Sequence, residues 1–184
     1  MVINTGPILI AIGAGWFLGE GFPRRLFAGC GVAFAGCLLI GLASSHAGSR
    51  EGLALLVVAA CAYVTAVVIQ KSVLGRVSAL QVTWLGCAAA TVVCLPFAPA
   101  LMAELDTGGA ARVVYLGLGP TAVGFAAWAY ALGRMPAGRL AALAYLIPVV
   151  AIALGWGLLG ETPPGAALAG GALCVAGVAL ARRR

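Results

Sequence analysis

Charge is what this sequence has least of: only 9% of its 184 residues are Asp, Glu, Lys or Arg, against about a quarter in soluble globular domains. No acidic residue falls in the middle of an apolar run. Histidine is nearly missing too, the single one being His46 in the polar stretch Ser44-Ser45-His46-Ala47-Gly48-Ser49. Without paired acids and bases or an imidazole relay, hydrolytic and group-transfer active sites cannot be assembled, so the chain is read as no enzyme and His46 as a loop residue. The spacing C-x-x-C does not occur. The six cysteines (Cys30, Cys37, Cys61, Cys87, Cys94 and Cys174) all lie inside apolar runs, where a thiol serves as a small hydrophobe. Cys30/Cys37 and Cys87/Cys94 share a helix face at a spacing of seven, but without the histidine or carboxylate partners of a metal site. No metal and no other cofactor is expected. The formal charge of +6 comes from basic residues placed singly, in pairs or at the C-terminus. They form no patch interleaved with aromatics, which argues against nucleic acid as a partner. No basic segment precedes the first apolar run, which is therefore read as a retained helix and not a cleaved leader.

What the chain has instead is apolar length. Hydrophobic residues make up 63% of it, in runs at about 3–19, 26–43, 53–70, 78–101, 111–132, 138–159 and 164–181 separated by Gly, Pro or charge. Most of these approach the ~17–25 residues a helix needs to cross a bilayer. The expected fold is all-α, a multi-pass transmembrane bundle of about seven helices with the lipid bilayer as its solvent. Basic residues orient it, because translocated loops are depleted in Lys and Arg. One side receives Arg24, Arg25, Lys71, Arg76, Arg134, Arg139 and Arg182 to Arg184, and the other only Arg50 and Arg112. The first side is therefore read as cytoplasmic, which puts the N-terminus outside and the C-terminus inside a cell (plasma or inner) membrane.

The two ends of the chain repeat each other. A shift of 141 positions (148 − 7) places Pro7 on Pro148, Leu18-Gly19-Glu20 on Leu159-Gly160-Glu161, Pro23 on Pro164, Ala28-Gly29 on Ala169-Gly170, Ala35-Gly36 on Ala176-Gly177 and Leu39 on Leu180, with no gap. Such a period is far too long for a solenoid unit and about right for five membrane helices with short loops. An odd number of helices per repeat inverts the second copy. The pattern P-x12-E followed by P-x5-G-x6-G in both copies resembles the EamA-type branch of the drug/metabolite transporter superfamily. The stretch Ala131-Leu132-Gly133-Arg134-Met135-Pro136-Ala137 is similar to that family's link into its ninth helix.

The resemblance implies ten helices in two inverted five-helix repeats. Residues 1–45 would then be the last two helices of the first repeat and 46–184 a complete second repeat, with the family's first three helices not represented. It also implies a transporter, usually an exporter, of small metabolites or drugs that works by alternating access. Two readings of the absent helices stay open: a start codon placed too late or a truncated gene, or a shortened functional protein completed as a homo-oligomer or by complementing helices. The alternative to a transporter is a truncated, non-transporting membrane fragment or a subunit of an oligomeric transporter.

Polar groups inside apolar runs are the candidates for function, since burying them is costly unless they pair or line a wet cavity. Tyr63, Thr65, Trp84, Thr121 and Tyr145 lie nearest the middle of their runs and are the candidate substrate lining. Pro7, Pro120 and Pro148 are helix breaks that could free carbonyls toward a cavity. Packing kinks, with Thr121 bonded to its own backbone, are the alternative. Residues nearer helix ends, such as Gln70, Gln81, Tyr115, Trp128 and Tyr130, fit interfacial anchoring. Glu20 and Glu161, each ending a run before a proline, are read as turn residues that accept hydrogen bonds from the free N–H groups of the next helix. The lining carries no net charge, which suits a neutral or zwitterionic ligand.

The orientation is testable by single-cysteine labelling in a background lacking the six native cysteines. A thiol at position 47 should react from outside, and thiols at 75 and 135 from the cytoplasm; the reverse pattern would invert the assignment.

Overall fold

The computed structural model describes residues 2–42 and 50–182, and His46 with the rest of its polar stretch lies outside them. All regular structure among the described residues is helical. In chain order the α-helices are α1 (Gly6–Phe17), α2 (Arg24–Leu42), α3 (Arg50–Val73), α4 (Ala79–Cys94), α5 (Ala98–Glu104), α6 (Thr107–Leu116), α7 (Gly124–Arg134), α8 (Ala137–Leu143), α9 (Ile147–Leu159) and α10 (Gly165–Arg182). Several join end to end. Among the described residues six stretches are long and apolar enough to cross a membrane: Arg24–Gly41, Ala54–Val73, Ala79–Ala100, Gly108–Arg134, Ala137–Leu159 and Gly165–Arg182. Gly6–Phe17 is a shorter apolar helix. The seven expected runs are all helical, and the chain is a multi-span α-helical membrane protein.

Proline decides where the joints fall. A proline inside an α-helix removes one backbone donor and crowds the carbonyl four residues back, but it is tolerated in the first turn. Pro7 and Pro148 stand in the first turns of α1 and α9, behind single 3-10 turns at Val2–Thr5 and Ala144–Leu146. Pro96 sits likewise in the 3-10 turn Leu95–Phe97 between α4 and α5. Pro120 is different, lying inside a π-helical segment, Gly117–Val123, that links α6 to α7. There the Thr121 hydroxyl donates to the Leu116 carbonyl at 2.9 Å, so the opened turn takes its replacement donor from the side chain next to the proline.

The chain divides into two compact units: Met1–Ile69 with Met135–Arg184, and Gln70–Arg134. In the first, α2 packs on α10 through glycine. A β-carbon on Gly29 would lie 2.5 Å from the Gly177 carbonyl oxygen and the Ala181 nitrogen, and one on Gly177 would lie 2.5 Å from the Gly29 oxygen and the Ala33 nitrogen. One turn pair further along, a β-carbon on Gly170 would lie 2.6 Å from the Gly36 oxygen, and one on Gly36 would run into the Gly170 oxygen. Backbones this close admit no side chain, which is how helices associate where lipid removes the hydrophobic drive. Ascending numbers in α2 meet descending numbers in α10, so the helices are antiparallel. The core around this seam is Ala11, Leu26, Cys30, Ala33, Cys37, Ala142, Tyr145, Cys174, Val178 and Ala181. Gly13 brings α1 onto α3, where its β-carbon would meet Val64 at 3.1 Å.

In the second unit α4 packs on α7, whose Ala129 and Leu132 are fully buried. Ser78 and Gln81 form a reciprocal capping box at the start of α4: the Gln81 N–H donates to Ser78 Oγ at 3.2 Å and the Ser78 N–H to Gln81 Oε1 at 2.9 Å. Asp106 caps α6 by accepting from the Gly109 N–H at 2.6 Å. The Lys71 ammonium donates to the Leu132 carbonyl at 2.5 Å, placing a cation at the negative end of the α7 dipole. The Arg134 guanidinium lies 3.5 Å from the centre of the Tyr130 ring.

Two glycines of α10 separate close approach from helix propensity. Gly177→Ala should lower the thermal midpoint and folded yield in detergent, because the new methyl meets backbone. At Gly171 nothing lies within 4 Å of an added β-carbon, and Gly171→Ala should be neutral or stabilising by up to about 1 kcal/mol. Equal melting of the two variants would show that the α2–α10 seam is not a backbone contact.

Candidate functional site

Several polar contacts of the first unit join residues more than a hundred positions apart. Glu20 follows Gly19, whose positive φ of 67° ends α1 in the left-handed conformation glycine tolerates. From that turn the Glu20 carboxylate accepts from the Ala137 N–H at 2.7 Å and the Gly138 N–H at 3.1 Å. These are first-turn donors of α8 that have no carbonyl within their own helix, and a carboxylate there also meets the positive end of the helix dipole. The chemistry matches the expectation for Glu20, but the partner does not: the N–H groups belong to α8, 117 residues away, and not to the following helix. The site is close-packed, since a β-carbon on Gly138 would lie 2.9 Å from Leu26 Cδ2 and 3.4 Å from Ala11 Cα.

Two further contacts join residues 141 apart. The Tyr145 hydroxyl donates to the Asn4 carbonyl at 2.9 Å, and the Cys174 thiol to the Ala33 carbonyl at 3.4 Å. Each links a residue to its own counterpart under the repeat shift. The glycine contacts obey the same rule, because exchanging the copies turns Gly29 against Gly177 into Gly170 against Gly36. Contacts that map onto themselves in this way, between antiparallel helices, are those of a pseudo-two-fold axis passing through unit one. Cys37 Sγ lies 3.7 Å from Cys174 Sγ in the same buried layer.

The residues singled out as lining fall in both units. Tyr63 and Thr65 lie on α3 and Tyr145 between α8 and α9 in the first; Trp84 on α4 and Thr121 in the π-helical segment belong to the second. Tyr63 is 46% exposed and Trp84 68%. Thr65 donates to the Cys61 carbonyl at 2.9 Å and Thr121 to Leu116, so each hydroxyl keeps acceptor capacity only. Tyr145 is 1% exposed and its hydroxyl is engaged by Asn4. The three prolines each stand at a helix joint. The contacts of Tyr145 and Glu20 were not visible in residue types: Asn4 and Tyr145 differ, and a helix start 117 residues away leaves no local signature.

Comparison with known proteins bears on the whole chain. The model of the EamA-like transporter family matches residues 50–183. A probable terminal-alkyne amino-acid exporter of Streptantibioticus cattleyicolor is 39% identical over 100% of this chain and 63% of its own length. A probable amino-acid metabolite efflux pump of Salmonella typhimurium is 30% identical over 92% of this chain and 61% of its own length. An uncharacterized transporter of Bacillus subtilis is 27% identical over 97% and 60%. The chain thus spans less than two thirds of the length of these relatives. No solved structure matches it.

Removing the clamp carboxylate tests its weight. Glu20→Ala should destabilise unit one by about 1–2 kcal/mol, the usual cost of losing a helix cap, with Glu20→Gln falling between it and the parent because one oxygen acceptor remains. Thermal melting in detergent reads this directly. An unchanged midpoint in Glu20→Ala would mean that water replaces the carboxylate without loss.

Proposed function

Because the chain belongs to the EamA-like transporter family, we propose that it exports a small amphiphilic metabolite of the amino-acid type across the cell membrane by alternating access. The observation that carries this reading is the pseudo-two-fold contact set of unit one. Inverted repeats related by an axis in the membrane plane are the architecture in which one half rocks against the other around a central site. The antiparallel α2–α10 pair, the Tyr145–Asn4 bond and the Cys174–Ala33 bond supply such an axis. The substrate class is supported by two relatives whose names specify amino-acid compounds. An uncharged polar lining also suits a zwitterion, whose charges need dipoles and not a single counter-charge.

In this proposal residues 1–45 and 46–184 are the repeat segments, and the side bearing Arg24, Arg25, Lys71 and Arg76 is cytoplasmic. Tyr63, Thr65, Trp84 and Thr121 line the path. Trp84 and Tyr63 do most of the recognition, each presenting a large apolar surface with one polar handle. Tyr145 acts from behind, holding the start of α1 against the joint between α8 and α9. Pro7, Pro120 and Pro148 set the joints at which helices bend.

Export of a labelled amino-acid metabolite, measured per inserted molecule, tests the assignment. Trp84→Ala and Tyr63→Phe should cut export several-fold or shift substrate preference while membrane abundance stays near normal. Lipid-facing or filler roles predict unchanged export per inserted molecule in both variants, a result that removes the two residues from the path.

A further inference from the structure

The α2–α10 seam holds two thiols face to face. Cys37 Sγ on α2 lies 3.7 Å from Cys174 Sγ on α10, and both side chains are buried. The Cys174 thiol gives its one hydrogen to the Ala33 carbonyl at 3.4 Å, so the hydrogen between the two sulfurs is the one Cys37 carries. The backbones are already close at this level, since a β-carbon on Gly36 would lie 2.9 Å from both the nitrogen and the sulfur of Cys174. Bringing the sulfurs from 3.7 Å to the about 2.05 Å of a disulfide needs about 0.8 Å of movement by each. Side-chain rotation is enough for that.

Packing alone does not call for sulfur here. Under the shift of 141 positions Cys174 corresponds to Ala33 and Cys37 to Val178, and those two residues belong to the same buried core. A methyl and an isopropyl group therefore satisfy, at one end of the seam, the positions that two thiols occupy at the other.

We propose that Cys37 and Cys174 are a redox site: an uncharged hydroperoxide dissolved in the bilayer closes them to a disulfide that ties α2 to α10. Both helices belong to stretches that can cross a membrane, so the oxidant must enter hydrocarbon, where a charged one is disfavoured. The site suits such a reaction because two thiols and a disulfide are all neutral, and neither state leaves a charge in low dielectric. First the O–O bond of the hydroperoxide breaks as an S–O bond forms on one sulfur, and the thiol hydrogen moves to the departing alcohol oxygen, leaving a sulfenic acid. The partner sulfur then displaces the hydroxyl: S–S forms, S–O breaks, and the second thiol hydrogen leaves with the hydroxyl as water. The two sulfurs give up two electrons and the peroxide takes both. The bridge joins residues 137 positions apart, and closing so long a loop removes much freedom from the unfolded chain.

Treating the full chain in liposomes with tert-butyl hydroperoxide, then unfolding, alkylating and mapping its peptides, should yield an intramolecular Cys37–Cys174 cross-link. The thermal midpoint should rise by roughly 5–10 °C, the shift a disulfide gives in a chain of this length. The Cys37→Val/Cys174→Ala double variant copies the Val178 and Ala33 arrangement, so it should fold as the parent does and show no rise; Cys37→Ala alone should lose the rise too. Both thiols still open to alkylation after treatment, sulfinic acid in place of a link, a link that leaves the midpoint unchanged, or a rise that persists in the double variant would each overturn the proposal.

Discussion

Two backbones in contact without side chains between them set the terms for the first unit. Inside a membrane the apolar effect gives helices little reason to prefer one another over lipid tails, so association depends on how closely main chains can approach and on the polar groups they exchange. Gly29, Gly36, Gly170 and Gly177 let α2 and α10 meet at a distance where even alanine would collide. The other contacts of the unit inherit their geometry from that seam. Tyr145 reaches Asn4, Cys174 reaches Ala33 and Glu20 reaches the start of α8 because the antiparallel pair fixes where the flanking helices lie.

The repeat was the most legible property of the sequence, and it survives translation into structure at the level of single hydrogen bonds. Proline and glycine carried it, since both constrain the backbone directly and leave the same trace in both copies. The seven apolar runs were legible for a similar reason: length and lack of charge suffice for a helix in lipid. Gln81, taken only as a polar residue near a helix end, also closes a capping box with Ser78, a local signature that the apolar pattern around it obscured.

What sequence could not convey was partnership. Glu20 looked like a turn residue serving its neighbour, yet it serves a helix far along the chain; no pattern of residue types encodes which helix start an acid will meet. The candidate lining illustrates the same limit. Tyr63 and Tyr145 are chemically alike and both lie in apolar runs, but one is half exposed and the other fully buried and bonded to a carbonyl. Depth within a run says how far a residue lies from the ends of its helix and nothing about which way it faces. The first compact unit likewise draws on both ends of the chain, because chain order and packing follow different rules.

The π-helical segment between α6 and α7 has a consequence of its own. Each residue of an α-helix advances the side-chain direction by roughly 100°, and a turn closed by i to i+5 bonds holds one residue more than an α-helical turn. Along Gly108–Arg134 the face of α7 that carries the buried Ala129 and Leu132 is therefore out of phase with the face of α6 that would continue it in a regular helix. A change of chain length by one residue within Gly117–Val123 acts as a rotation: it leaves the helix unbroken and swings Tyr115 and its neighbours onto a different face. The segment thus sets the angular offset between the two halves of Gly108–Arg134, held by its π-helical backbone bonds and by the Thr121 hydroxyl on the Leu116 carbonyl.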